Sequence, residues 1–331
     1  MKIVIDLPGT IVKTIQKMVQ SGSYASISDF ISIAAENQIT LEGLDDEHLM
    51  TENSISITSK SSIGDFSYPQ KDVPTADPYH LEQAENIWDS WLWGQINRIL
   101  PVKFALRYLS VKSADLSEYP LVENFWASAS EAARKYGHYL EQKDLELGKK
   151  RDEKLSTGFP VGKDASSSKD RYWTQFIGYE KSDGTRTGAL FDLGLADLIS
   201  SEDGLKIGLT IAGNNFAELS NPVIDESEFK NSLSSIERKF YINHVRENCP
   251  GEWHFISLIL KMINNGINNR ELINNEISKI VESSGWSSGL VSTQRAGAIS
   301  RMYELDLIRK ERSGLEVSYR LTDFGKANMI G

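Results

Sequence analysis

One segment of this 331-residue chain occurs twice, at a period of about 110 residues, and no other feature constrains its folding as strongly. The first copy is TRTGALFDLGLADLISSEDGLKIGLTIAG, residues 185–213, and the second is QRAGAISRMYELDLIRKERSGLEVSYRLTDFG, residues 294–325. Arg186, Gly188, Ala189, Asp197, Leu198 and Ile199 recur as Arg295, Gly297, Ala298, Asp306, Leu307 and Ile308. After small gaps, Gly204-Leu205, Leu209-Thr210 and Gly213 recur as Gly314-Leu315, Leu321-Thr322 and Gly325. Each copy reads as a helix, a strand, a Gly-containing turn, a second strand and the start of another helix. Upstream of the second copy, 253–264, 269–281 and 293–305 carry apolar residues at helical spacing. The chain is therefore expected to be mainly α with small β.

The phrase DLIRKERSGLEVSYRLTDFGK is similar to the wing of winged-helix transcription regulators of the MarR and PadR types. That resemblance implies two winged-helix units, each serving as a DNA reader or as a protein-docking module. Charge separates the copies. Residues 185–203 carry Arg186 against Asp192, Asp197, Glu202 and Asp203, a net −3. Residues 294–312 carry Arg295, Arg301, Arg309, Lys310 and Arg312 against Glu304, Asp306 and Glu311, a net +2. Phosphate repels the first and attracts the second. The C-terminal copy is thus the expected DNA-facing one, and the acidic middle copy a structural or protein-contact module. On the third helix, Gln294, Gly297, Ser300 and Arg301 fall on one side, opposite Ile299, Met302 and Tyr303 on the core side. Gln294 suits adenine, Arg301 suits guanine, and Gly297 would let the backbone approach the groove. Thr293, at the expected helix start, either caps the helix or meets a phosphate. Arg309, Lys310 and Arg312 form the wing tip. Arg295 leans toward the apolar side and recurs in the acidic copy, which favours a structural role.

The N-terminal 42 residues form a separate module. Ile3, Ile5 and Leu7 share one face of a strand, with Lys2, Val4 and Asp6 on the other. Pro8-Gly9 ends that strand, and Ile11, Ile15, Met18 and Val19 form a helical stripe. After Ser21-Gly22-Ser23, a second helix begins at Ser26, which pairs with Asp29 in a capping-box-like pattern. A unit this short needs a partner to bury its apolar surface. This order resembles the ribbon-helix-helix family of the Arc and MetJ class, and SGSYASISDFISIAAENQI is similar to its antitoxin and nickel-regulator branch. The resemblance implies a homodimer whose paired strands place Lys2, Val4 and Asp6 toward the major groove. Ser26 and Ser28 would stand at a helix N-terminus facing phosphate. Asp6 departs from that pattern, because phosphate repels it. The ribbon is therefore either a base reader or a dimer clasp that no longer touches DNA.

Residues 43–79 read as a flexible acidic linker, rich in Ser, Thr and acids. From 42 to 79 there are eight acids and two lysines, so this stretch supplies −6 of the net charge of −10. The total thus says little about what any one domain binds. A helical region follows within 80–222. Helix is expected from 86 to 100 with a break at Pro101, then 104–109, then 121–147 with Phe125, Trp126, Ala129, Ala133, Tyr136 and Leu140 at core spacing. Lys149-Lys150-Arg151 at its end is a candidate phosphate-facing cluster as well as an ordinary helix C-terminal one. Residues 223–331 hold a further helix and the C-terminal winged helix.

No chemistry of catalysis stands out. GFPVGK at 158–163 has three residues between its glycines and is followed by Asp164, so it departs from a phosphate-binding loop. His244, Cys249 and His254 match no zinc spacing. The expectation is no enzyme, no cofactor and no metal. A single Cys and the lack of a signal-like or membrane-length apolar run point to a cytoplasmic, nucleoid-associated protein. Together these readings suggest a homodimeric, sequence-specific DNA-binding transcription regulator acting on double-stranded DNA, with a protein partner at the acidic middle unit and no membrane. The alternative is a non-enzymatic partition or chromosome-organising assembly protein that dimerises through 1–42 and docks partners through its winged helices.

Overall fold

Helix α1, Leu100–Leu116, is buried at every position from Leu100 to Ser110, as a helix must be when other elements pack around it on all sides. The computed structural model describes residues 12, 13, 16, 67–69, 72–78, 86–313 and 316–329. The chain divides into two units, Met1–Thr58 and Ser59–Gly331. The expected ribbon and its contact residues Lys2, Val4, Asp6, Ser26 and Ser28 lie outside the described residues. The second unit is mainly helical with small sheets.

Pro101 opens α1 instead of breaking a helix, because a proline in the first turn sacrifices no intrahelical bond. The expected helix over 86–100 is a single 3-10 turn, Ile87–Ser90, followed by irregular chain. That chain keeps Trp91, Leu92, Ile96 and Ile99 buried, so its apolar spacing reports burial and not helix. Helix α2, Val122–Glu146, buries Phe125, Ala129, Ala133, Tyr136 and Leu140 of the expected stripe together with Val122, while Trp126 is half-buried and stacks on Trp173. It is followed by α3, Ala165–Tyr172, with a π turn at Trp173–Ile177, and a two-stranded ribbon of β2 (Tyr179–Glu180) and β3 (Arg186–Thr187).

The two repeats share their local geometry. In the first, the short helix α4 (Ala189–Asp192) leads into strands β4 (Ala196–Ser201) and β5 (Gly204–Thr210) and helix α5 (Ile211–Glu218). Helices α6 (Ser235–Asn248), α7 (Pro250–Asn264), α8 (Arg270–Ile280) and α9 (Ser288–Glu304) follow. The second repeat closes with β6 (Ile308–Ser313), β7 (Glu316–Leu321) and α10 (Asp323–Met329). Ala196 pairs with Leu209 and Ser201 with Gly204; Ile308 pairs with Leu321 and Ser313 with Glu316. Gly194 and Asp306 both turn the chain at positive φ, 61° and 59°. Thr210 and Thr322 each cap the following helix, accepting from Gly213 N at 3.1 Å and Gly325 N at 2.9 Å. Their own amides donate to Leu195 O and Leu307 O, both at 3.1 Å.

These pairs share one offset of 112 residues without gaps, as in 196 to 308 and 213 to 325. The matching of Asp197-Leu198-Ile199 with Asp306-Leu307-Ile308 is therefore three residues out of register. The DLI triplets occupy non-equivalent positions, whereas the turn geometry is common to both copies.

Part of the expected linker is ordered structure. Thr75–Ala76 forms β1, pairing parallel with β5 at Thr75↔Leu209, so that the sheet order is β1-β5-β4. Tyr119 Oη donates to Thr75 O at 2.7 Å, and Tyr68 Oη donates to Asn214 at 3.0 Å. Nor does the core break between 222 and 223. One cluster of buried side chains runs from Trp91 to Tyr319, and Trp91 stacks on Phe255 with ring centroids 3.9 Å apart. Among the described residues, no helix is long and apolar enough to cross a membrane.

The close passage of the chain at Leu195 and Leu307 over the capping turns makes the recurring glycines stringent. A Cβ on Gly213 would sit 1.7 Å from Leu195 O, and one on Gly325 would sit 2.0 Å from Leu307 O. Gly213→Ala and Gly325→Ala are each expected to cost about 1–3 kcal/mol of unfolding free energy in urea titrations. A matched Ala substitution at Gly289, where the nearest atom to a new Cβ is Ser287 Oγ at 3.8 Å, is expected to be milder.

Candidate nucleic-acid interface

Helix α9 begins at Ser287, whose Oγ accepts from Leu290 N at 3.2 Å. Thr293 is thus well inside the helix and donates its hydroxyl to Gly289 O at 2.9 Å, so it is not a cap. The face expected to read bases is a packing face. Gln294 and Arg301 are 3% and 0% exposed, and Gly297 is buried. The irregular chain at 91–99 lies across this side. A Cβ on Gly297 would come 2.1 Å from Gly94 O, and one on Gly94 would come 2.3 Å from Thr293 O. Gly297 does permit a close backbone approach, but the backbone that approaches is the chain's own.

Arg301 makes a bidentate pair with Glu252, Nε to Oε1 and Nη2 to Oε2, both at 2.8 Å. Its third nitrogen donates to Ile96 O at 2.5 Å. A guanidinium engaged at all three nitrogens and shut away from solvent cannot reach a guanine edge. Ser300 uses its carbonyl to accept from Arg98 Nη1 at 3.3 Å. Gln294, Gly297 and Arg301 are accordingly packed inside, and the reading of them as base contacts is corrected, whereas the Ser300 side chain is half-buried. Arg295 is also buried, donating from Nε to Asn274 Oδ1 at 2.7 Å.

The basic residues of ribbon β6–β7, expected at a wing tip, are placed differently. Asp152 presents Oδ2 to Lys310 Nζ at 3.2 Å and to Arg312 Nη2 at 3.4 Å. Its carbonyl accepts from Arg98 Nη2 at 2.6 Å. Partial burial alone would raise the Asp152 pKa, but Lys310 and Arg312 hold it below the usual carboxylate value. Lys310 also lies over the Tyr303 ring, 4.6 Å from its centroid. These contacts fasten the loop after α2 against ribbon β6–β7. Asp152 is 158 and 160 residues from Lys310 and Arg312 in the chain, so its contacts join the segment that carries Lys149, Lys150 and Arg151 to the basic residues of ribbon β6–β7.

Arg309 is exposed, and its side chain has no hydrogen bond or ion pair among the described residues. It stands directly across the ribbon from Arg320, which pairs with Glu311 at 2.7 Å. Lys150 and Arg151 are exposed as well. A cleft of about 1000 Å³ opens beside this ribbon, lined by Arg98, Lys149, Lys154, Arg238, Arg309 and Lys310 together with acids including Asp152 and Asp306. Arg238 is 3.6 Å from Asp306. What the arrangement can do is hold an anionic polymer by its backbone: several cations share one surface, and only some of them are neutralised.

The acidic character of the first repeat is smaller than its composition suggests. Asp197 is paired with Arg186, and Asp192 turns toward the interior, where its Oδ2 accepts from Gly188 N at 3.1 Å. Glu202 and Asp203 remain exposed at the turn, with Lys206 3.8 Å from Asp203. His254 stands apart from His244 and Cys249, its Nδ1 accepting from Trp91 Nε1 at 3.1 Å.

No family model, curated protein or solved structure matches this chain. The missing signals for the α9 face are Glu252 and Gly94, remote in sequence and unremarkable where they stand. Removing one member of a buried, hydrogen-bonded pair leaves the other uncompensated. Arg301→Ala is therefore expected to lose about 3–5 kcal/mol of stability in denaturant unfolding. At temperatures where it stays folded, it should leave any base preference unaltered, as measured on a panel of duplexes.

Proposed function

We propose that this chain is a non-enzymatic, cytoplasmic DNA-binding protein, a homodimeric transcription regulator. In this reading its C-terminal unit grips the phosphate backbone through the wing surface, and residues 1–42 pair two chains and supply any base reading. The observation that carries the proposal is the Asp152 junction, which joins two basic clusters from opposite halves of the chain into one surface. Exposed lysines and arginines suit phosphate, whose contacts position a protein without reading sequence. The likeness of 1–42 to ribbon-helix-helix modules and of 294–325 to a winged helix supports the same assignment. Two chains joined at their N-termini would carry two wing surfaces, so each module can be weak while the dimer gains from effective concentration.

Binding of a fluorescent duplex, followed across salt concentrations, tests the wing surface. In the combined variant Lys150→Ala, Arg151→Ala, Arg309→Ala and Arg312→Ala, affinity should fall about equally for all sequences. The slope of log K against log salt should become shallower by about one for each phosphate that is no longer neutralised. An unchanged slope in a folded variant would sink the assignment.

Burial of the α9 face also favours a second reading, a partition or chromosome-organising assembly protein, because a surface of phosphate contacts alone gives weak sequence preference. Footprints of full-length protein and of a 1–42 deletion separate the two. A regulator is expected to protect a few sites and to lose that choice, along with its dimeric sedimentation, in the deletion. An organiser is expected to coat DNA in both forms.

A further inference from the structure

A second cavity, of about 1160 Å³, lies on the first-repeat side of the protein, between α5, α6, the first turn of α7 and the segments 75–78 and 87–92. Its volume is ample for an organic molecule. Leu92, Ile87, Ile211, Phe240 and Pro250 supply its apolar lining. Ile211 is 69% exposed although it opens a helix beside this space, as an apolar residue at a binding rim would be.

The charges in the cavity are one-sided. Among the described residues that line it there is no Lys or Arg, but there are four acids, Asp77, Asp192, Glu247 and Glu252. Glu252 is already matched by Arg301. His244 cannot serve as counter-charge. Its Nε2 donates to Leu193 O at 2.7 Å, and burial lowers its pKa. The Cys249 thiol, 3.5 Å from the same carbonyl, is pushed up to about 12 by burial and stays neutral.

Asp192 is the singular group. One of its oxygens accepts from Gly188 N, and the other has no hydrogen-bond partner among the described residues. Burial pushes its carboxyl up to about 7, against the pull of the Gly188 amide and Lys181. Sharing the cavity lining with it are neutral His244 and Cys249 and the acids Asp77, Glu247 and Glu252, while Lys181, outside that lining, acts on it through its charge. A carboxylate with a spare oxygen, in an apolar cavity that holds no cation, is suited to an incoming positive charge.

We propose that this cavity binds a small organic cation, an ammonium group carrying an apolar body, with the Asp192 carboxylate as its counter-ion. Binding draws Asp192 into its ionised form and so releases its proton. Affinity for a cation of fixed charge therefore rises with pH through about 7 and levels off above it.

Calorimetric titration of the full chain with three probes that share a six-carbon chain tests this: hexyltrimethylammonium, 1-hexanol and hexanoate. The cation is expected to bind at least about tenfold more tightly than hexanoate, and about tenfold more tightly at pH 8 than at pH 6. In Asp192→Asn, 1-hexanol should bind as before, while the preference for the cation and its pH dependence disappear. Ala212→Phe, which fills the cavity from its wall, should abolish binding of all three. Equal affinity for hexanoate, no binding of the cation at pH 8, or an Asp192→Asn protein that keeps the preference would each overturn the proposal. If Asp192→Asn does not fold, the probe and pH comparisons on the unaltered chain together with Ala212→Phe still decide it.

Discussion

Two side chains near the end of α9 hold the N-terminal and C-terminal halves of the described structure together. Glu304 accepts from the amides of Ile99 and Leu100 at 2.6 and 3.1 Å, satisfying donors that the first turn of α1 leaves without intrahelical partners. One turn earlier, Arg301 binds Glu252 and Ile96 O. Removing these charges from water carries a penalty of several kcal/mol each, offset only when the buried donors and acceptors meet partners in good geometry. The consequence is geometrical. The chain at 91–99 must lie on α9, Gly94 must face Gly297, and the central helix must start where Glu304 waits for it.

A related device sits one to two turns further along α1. Lys103 and Arg107 are buried, and both donate to the carbonyls that end α5, at Phe216, Ala217 and Leu219. Lys103 lies 3.2 Å from Glu237 and Arg107 2.5 Å from Asp225. Cations at a helix C-terminus meet both its free carbonyls and its dipole, so one element of charge satisfies two requirements. Between these junctions α1 ties the first repeat, α6 and the C-terminal unit into a single core.

The repeat was legible because strand and helix periods and Gly-Thr punctuation are local properties. Its register was not. The equivalent turn positions hold Gly194 in one copy and Asp306 in the other, two residues that tolerate a left-handed backbone for different reasons. Sequence similarity does not align them, whereas the DLI triplet offers a false match. The stripe on α2 was legible for the ordinary reason that one helix face meets one neighbour. The chain at 86–100 was misjudged because buried apolar residues in an irregular strap mimic helical spacing. Basic residues at 149–151 and 309–312 were recognisable singly, but Asp152, an acid, carries the contact that unites them.

From the sequence by itself came the mainly helical class with small ribbons, the tandem order of its two similar units, and the places where positive and negative charge accumulate. These depend on residues within a few turns of one another. Tertiary structure alone decided which face of α9 meets solvent, because its covering partners, Gly94, Ile96 and Glu252, are 49 to 205 residues away. An arginine reads the same in sequence whether it faces a base or a buried carboxylate. Only the packing around it distinguishes the two, and here that packing leaves the exposed cations on ribbon β6–β7 and the segment after α2 instead of on the α9 face.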